Sequence, residues 1–122
     1  MSGGDIVDGE SFRLFKVELF DMAVSDTTGV YEVWWRANTL FPEASLSERL
    51  QLAERAVGEL LAAGLVGLYR GTWDDHQLVA QDEQSAVLRA SDTWVVPDGP
   101  TVFIRGDAPP DPDTWQSIHD SL

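Results

Sequence analysis

Cysteine is absent from this chain of 122 residues, and cationic side chains are scarce, with eight lysines and arginines against 21 aspartates and glutamates. Without cysteine the chain can form no disulfide bond and no thiolate metal site. The net charge of −13 repels nucleic acid and anionic lipid, and it favours basic protein surfaces as partners. These shortages predict a protein that binds neither nucleic acid nor a membrane.

Long apolar runs and the features of a secretion signal are missing as well. No run approaches the roughly 20 apolar residues that a membrane span needs. The N-terminal residues MSGGDIVDGE are acidic and lack the basic and apolar regions of a signal peptide. Together with the lack of cysteine, this pattern predicts a cytoplasmic protein.

Motifs that would support chemistry are also missing. The sequence contains no G-x-S-x-G elbow, no G-x-G-x-x-G and no P-loop. His76 follows Asp74 and Asp75, but no second histidine lies nearby, so a solvated polar loop is a better interpretation than a metal site. Prolines interrupt the aspartates of residues 107–120, which lack the glycine and glutamate of a calcium loop. We predict no catalytic, cofactor or metal site, and therefore no enzyme.

The residues that are present indicate one folded domain. With 43% hydrophobic residues and five tryptophans, the composition is too apolar for a disordered chain. Residues 45–71 are neutral overall, whereas residues 1–44 carry a net charge of −5 and residues 72–122 a net charge of −8. The acidic charge therefore lies on both sides of a neutral centre, where it serves either solubility alone or a basic partner.

The neutral centre holds the clearest helix pattern. Ser45 and Glu48 form the S-x-x-E pattern of a capping box. Apolar residues then recur at spacings of three and four, which predicts a helix over residues 45–63 with one apolar stripe: Leu46, Leu50, Ala53, Val57, Leu60 and Leu61. Gly58 costs about 1 kcal/mol relative to alanine inside a helix, which suggests that a neighbour packs closely against it.

A sharp glycine stop follows this helix. Gly64 suits the left-handed position after the helix end, with Leu65 folding back onto Leu60. Residues 65–70 are then predicted to form a strand.

Two shorter helices are predicted before the central one. Residues 1–10 form a flexible lead-in, and residues 11–24 place their apolar side chains on one helical face, although alternation at Phe15, Val17 and Leu19 also allows a strand. Residues 25–29 form a turn, with Thr28 or Gly29 as the cap of a second helix over residues 30–40. That helix ends ahead of Pro42, which disfavours helix at the residue before it.

The second half of the chain is specified less clearly. A polar loop over residues 71–76 leads to a short strand at residues 77–80, and Asp82 could cap a short helix over residues 83–90. Residues 93–96 and 101–105 flank Pro97, Asp98 and Gly99, which predicts a hairpin. Residues 107–122 form a tail rich in proline and aspartate, predicted to be extended with a last helical turn after Asp113. Residues 11–106 thus constitute the single domain.

Two short helices, a long third helix and later strands resemble a winged-helix domain. The segment ELLAAGLV at residues 59–66 is similar to the ending that joins the third helix of that family to its first wing strand. The resemblance implies an α+β fold, with three N-terminal helices followed by a small antiparallel sheet. The chain also resembles small acidic bacterial proteins.

The resemblance further implies a DNA-contacting third helix, but the polar face of this helix does not suit that role. It offers three glutamates against Arg49 and Arg55, whereas contacts to phosphate need cations.

Aromatic side chains next to acidic ones are the candidates for partner contact. Tyr31 and Trp35 lie off the apolar stripe of the second helix, so they either pack beneath a neighbouring segment or form an interface. Trp73 adjoins two aspartates. Aromatic anchors and steering acids together give the predicted binding residues: Tyr31, Trp35, Trp73, Asp74, Asp75, Asp82 and Glu83.

The leading hypothesis from the sequence is a non-catalytic acidic module that binds a basic protein. An inhibitor, an immunity protein to a toxin and a nucleic-acid mimic all fit this description. The alternative is a winged-helix transcription regulator that binds DNA or a DNA-bound partner.

Overall fold

Helices and one small antiparallel sheet make up the computed structural model, which describes residues 9–95 and 100–122. The helices are α1 (Gly9–Ser25), α2 (Val30–Leu40), α3 (Leu46–Ala62), α4 (Gln84–Arg89) and α5 (Pro112–Ser121). The strands are β1 (Thr28–Gly29), β2 (Gly67–Gly71), β3 (His76–Leu78) and β4 (Thr101–Arg105), and Gln81–Glu83 and Ser91–Trp94 form short 3-10 turns. The predicted α+β class, with three leading helices and a small antiparallel sheet, is confirmed.

α1 settles the choice between helix and strand for residues 11–24 in favour of helix. Phe12, Phe15, Leu19 and Ala23 follow one another at helical spacing and are all buried. The ring of Phe15 meets Phe41 edge to face, with centroids 5.3 Å apart. This contact ties α1 to the segment that follows α2.

Both predicted ends of α3 are confirmed. The Ser45 hydroxyl accepts a hydrogen bond from the Glu48 amide at 3.1 Å, and the Glu48 carboxylate accepts one from the Ser45 amide at 3.2 Å. At the other end Gly64 has φ 73°, and the amide of Leu65 donates to the carbonyl of Leu60 at 3.1 Å. These bonds satisfy backbone groups that a helix leaves open at its ends.

Two details of the α3 prediction are wrong. Leu46 is 65% exposed rather than part of the buried stripe; it is the first residue of α3, whose buried residues begin only at Ala53. Gly58 has no close neighbour, since a Cβ added there would meet nothing within 4 Å.

The sheet has the strand order β1-β4-β2-β3, and its neighbours are antiparallel. One row of directly opposed residues crosses all four strands, namely Gly29, Phe103, Tyr69 and Leu78. Successive side chains along a strand point to opposite faces of the sheet. This row and the residues two positions away along each strand therefore share one face, here called the outer face. The other face, called the inner face, carries Leu68, Val102 and Ile104 in the main core.

The predicted hairpin around residues 97–99 is wrong for its first strand. Ser91–Trp94 forms a 3-10 turn, in which the Trp94 indole donates to the Leu88 carbonyl at 2.8 Å and the Thr93 hydroxyl to the Val87 carbonyl at 2.7 Å. β4 pairs instead with β1 and β2. The tight turn itself falls among residues 96–99, outside the described residues.

Asp82 is not the cap of α4. The residue before α4 is Glu83, which makes no capping hydrogen bond, and the chain enters the helix from the 3-10 turn Gln81–Glu83. A short helix is nevertheless present where residues 83–90 were predicted to form one.

Residues 112–121 form a helix, so the helical turn predicted after Asp113 is present but extends over ten residues, and the prediction that this range is mainly extended is wrong. The Asp111 side chain accepts from the Thr114 amide at 2.7 Å, and proline occupies the first turn, where its missing donor costs nothing. The hydrogen bonds from Thr114 hold the pKa of Asp111 below its ordinary value. Trp115, Ile118 and Leu122 give the helix an apolar stripe that packs on the core.

Candidate partner-binding surface

The outer face of the sheet is covered by its own aromatic side chains. Phe103 lies at its centre and is 0% exposed. Above it lie the Trp73 ring at 4.5 Å and the His76 ring at 5.3 Å between centroids, and His76 also meets Tyr69 at 5.5 Å. Trp73 remains 51% exposed, so the cover over Phe103 is itself accessible.

A second aromatic pair joins this face at β1. Tyr31 lies so close to Gly29 that a Cβ on Gly29 would collide with its ring. Gly29 directly opposes Phe103, which places the Tyr31 ring on the outer face. The Trp35 ring stands edge-on to Tyr31 at 5.1 Å and is 50% exposed. Burial, followed by the neighbouring charge of Glu32, raises the pKa of Tyr31, so its hydroxyl stays neutral.

We call the resulting patch the aromatic surface. Its members share the outer face or contact a ring on it, and they are Tyr31, Trp35, Tyr69, Trp73, His76, Leu78 and Phe103. Leu78 is 64% exposed. The patch thus exposes two tryptophans by about half, Trp73 over the buried Phe103 and Trp35 against Tyr31, and exposed aromatic patches often mark contact sites.

The aromatic surface is acidic at one end and basic at the other. Asp74 and Asp75 are exposed in the loop between β2 and β3, whose turn is held by the Thr72 amide donating to the Asp75 carbonyl at 2.9 Å. At the opposite end the Arg105 guanidinium carbon lies 5.5 Å from the centroid of the Tyr69 ring. A cation from a partner therefore meets attraction at the Trp73 end and repulsion at the Arg105 end.

Five of the seven predicted binding residues lie on or beside the aromatic surface, and two do not. Tyr31, Trp35 and Trp73 belong to it, and Asp74 and Asp75 border it.

Asp82 and Glu83 are exposed in the turn before α4. Residues of that turn and of α4 line a groove of about 470 Å³ against α3, with Gly58 and Leu61 opposite Gln81 and Ser85. These two acids thus lie in the turn that borders this groove, and not in the loop that carries Asp74 and Asp75.

Most of the cations are engaged within the protein. Five of the eight form ion pairs with carboxylates, including Lys16 to Glu59 at 2.9 Å and Arg55 to Glu59 at 2.8 Å. Arg49 donates to the carbonyls of Pro42 at 2.7 Å and Ala44 at 2.9 Å, so it closes the turn before α3. The polar face of α3 therefore holds its arginines in internal contacts.

Sequence reasoning missed Tyr69, His76 and Phe103 as members of this surface. The signal was present in TVFIR and GLYRG, where period-two alternation places Phe103 and Tyr69 opposite the core residues beside them. What the sequence did not show is that β4 inserts between β1 and β2, which brings these rings together.

Within residues 9–95 and 100–122, no three histidine, aspartate or glutamate groups come close enough to hold a metal ion. In those ranges no helix has both the length and the apolar character needed to cross a bilayer.

Comparison with protein-family descriptions, curated proteins and solved structures finds no match to this chain.

Proposed function

We propose that this protein is a non-catalytic acidic module that binds a basic protein through the aromatic surface. The observation that carries the proposal is the half-exposed cover of Trp73 over the buried Phe103, next to Asp74 and Asp75. Large aromatic anchors that become desolvated supply most of the affinity at such interfaces. An inhibitor, an immunity protein or a nucleic-acid mimic would all use this chemistry.

The charge arrangement supports a basic partner. The net charge is −13, and five of the cations are already paired to carboxylates inside the protein. The remaining acidic field attracts cationic proteins over about a Debye length, roughly 8 Å at physiological salt. Asp74 and Asp75 would then orient the encounter towards the aromatic surface, because steering charges act mainly on the association rate.

The test is cross-linked capture from a lysate of the source cell, followed by measurement with the purified partner. The wild type is compared with a triple variant, Trp73→Ala with Asp74→Asn and Asp75→Asn. We expect the wild type to capture an identifiable basic protein, and the triple variant to bind that purified protein at least tenfold more weakly.

A matched control separates local charge from total charge. Asp82→Asn with Glu83→Gln removes the same number of charges from the side of the α3–α4 groove, and it should reduce binding only slightly. If both variants bind equally well, the aromatic surface is not the binding site. A captured protein that is not basic would contradict the proposed class of partner.

A finer statement of the fold belongs to the same proposal. We infer a winged-helix-like layout, in which β2 follows α3 as the first wing strand and β4 is its direct partner. β3 and α4 then belong to an insertion between the two wing strands. The pairing of β2 with β4 across this insertion supports the inference.

The regulator alternative is less well supported by the geometry. Arg49 is held by two backbone carbonyls and Arg55 by Glu59, so both arginines of α3 would have to leave contacts within the protein before they could bind phosphate. A gel-shift experiment with DNA from the gene's own neighbourhood should show no binding at physiological salt. Tight binding there would favour the regulator instead.

A further inference from the structure

The free edge of β3 presents backbone groups in a regular pattern. The Val79 amide donates to the Leu68 carbonyl at 2.8 Å, and the Thr72 amide to the Asp75 carbonyl at 2.9 Å. In an antiparallel pair, hydrogen-bonded and non-hydrogen-bonded positions alternate. Gln77 therefore points its backbone groups at β2, whereas His76 and Leu78 point theirs away from the sheet. In the described chain neither of these two has a backbone partner on that side.

The same two residues turn their side chains to the outer face. Leu78 opposes Tyr69 and His76 opposes Gly71, so both lie on the aromatic side. An antiparallel strand added at this edge would exchange hydrogen bonds with His76 and Leu78. Its residues at those two positions would place their side chains beside the aromatic surface.

We propose that the β3 edge receives an extended segment of the basic partner as a fifth strand, with an arginine opposite His76 and an apolar residue opposite Leu78. This inference rests on the proposed function and adds the mode of binding. The arginine would lie beside Asp74 and Asp75, which directly precede β3. The apolar residue would cover Leu78, which is 64% exposed.

Charge decides between a partner and a second copy of this chain at the same edge. Two copies would bring net charges of −13 together, and no compensating cation lies on β3 itself. A cationic strand instead gains from both the acids and the rings, because guanidinium groups are attracted to aromatic faces. Arg105 over Tyr69 already shows that attraction within this protein.

The experiment uses the full chain and a blocked pentapeptide, Thr-Val-Thr-Arg-Thr, which places valine opposite Leu78 and arginine opposite His76 when it runs antiparallel. One analogue is N-methylated at valine and arginine, whose amides would face β3. The matched control is N-methylated at the threonine between them, whose amide would face solvent. Affinity and amide protection are measured by NMR titration and hydrogen exchange at low salt.

We expect the control to bind like the parent peptide and the first analogue at least tenfold more weakly. The amides of His76 and Leu78 should become protected, while that of Gln77, already bonded to β2, should not change. Leu78→Pro, which removes one outward donor, should weaken binding similarly. If that variant does not fold, the two peptide analogues still decide the question.

Three results would overturn strand addition. Equal affinity of both N-methylated analogues would mean that the backbone makes no contact, and no binding at millimolar peptide would mean that the edge does not receive such a strand. Protection of His76 and Leu78 in the free protein, together with a dimer in sedimentation, would assign the edge to a second copy. The proposed function itself is contradicted by a different result, namely a triple variant that binds the captured basic protein as tightly as the wild type does.

Discussion

On the inner face of the sheet, Leu68 and Ile104 belong to a core that the helices share, whereas on the outer face Phe103 reaches the same 0% exposure beneath Trp73 and His76. Adjacent residues of one strand are thus equally buried by different means. A core residue under helices is protected by the whole fold. Phe103 is protected by one side chain from a loop, Trp73, and one from the edge strand, His76. It stays buried only as long as those two side chains stay in place.

The helical side and the outer face of the sheet also differ in how their charged side chains are paired. On the helical side Glu59 accepts from both Lys16 and Arg55, and Arg36 meets Glu18. Beside the outer face Asp74 and Asp75 point into solvent. Carboxylates on the helical side thus have cationic partners within the protein, while exposed carboxylates next to exposed rings are suited to an external cation.

The largest expected effect comes from truncating the inner face. Ile104→Ala should lower the free energy of unfolding by about 2–5 kcal/mol, since the cavity lies under helices that relax little. Phe103→Ala removes more atoms but should cost less, because Trp73 can settle into the space. Urea unfolding of both variants gives the comparison. A larger loss for Phe103→Ala would show that the outer face is as rigid as the core.

The second effect separates binding from stability on the outer face. Trp73→Ala should weaken binding of the basic partner at least tenfold. It should reduce the free energy of unfolding by only about 1 kcal/mol, since half the side chain is already in water. Calorimetric titration and urea unfolding measure the two quantities. Leu46→Ala, an exposed apolar truncation at the start of α3, is the control and should leave binding unchanged. A tryptophan variant that binds normally would contradict the assignment.

The inner face and its helices could be predicted from the sequence because their signals are local. The capping box of Ser45, the glycine stop at Gly64 and the apolar spacing of α1 each act within a few residues. The C-terminal helix could also have been found, since Asp111 followed by proline is a helix start. The prolines of this segment favour an extended chain, and for that reason an extended tail was predicted.

The outer face could be predicted only in part because it depends on long-range pairing. The sequence identifies each aromatic candidate separately: Tyr31 and Trp35 lie off the apolar stripe of α2, and Trp73 lies in a polar loop. Their meeting point is Phe103, which comes to them only because β4 pairs with β1 and β2. Nothing local in TVFIR specifies those neighbours. For the same reason, the sequence could not show that Asp82 and Glu83 lie apart from Asp74 and Asp75.

A smaller effect is expected at the helical groove. Gly58→Ala should raise the free energy of unfolding by about 0.5–1 kcal/mol, because alanine favours the helix and its Cβ would meet nothing within 4 Å. Binding of the basic partner should not change, since Gly58 lines the groove between α3 and α4 and is not part of the aromatic surface. A destabilised variant would mean that the groove is closed by a neighbour. A variant with weaker binding would move the contact site towards α3.

The smallest effect tests whether charge pairing on the helical side stabilises the fold. Burial alone would raise the pKa of Glu59, but the hydrogen bonds from Lys16 and Arg55 outweigh it and hold that pKa below the ordinary 4.5. A carboxylate with a lowered folded-state pKa stabilises the protein above its unfolded pKa, and that stability is lost as pH falls through the folded value. Because the side chain is 39% exposed, Glu59→Gln should cost less than about 1 kcal/mol at pH 7.

The difference between wild type and Glu59→Gln should therefore shrink as the pH falls below about 4.5 and vanish under more acidic conditions. Urea unfolding at a series of pH values measures it. Glu54→Gln, which removes a longer contact of 4.0 Å to Arg89, is the control and should cost less at pH 7. A Glu59→Gln difference that is constant with pH would show that the cost of the substitution does not come from the ionised carboxylate, and would contradict a stabilising ion pair with Lys16.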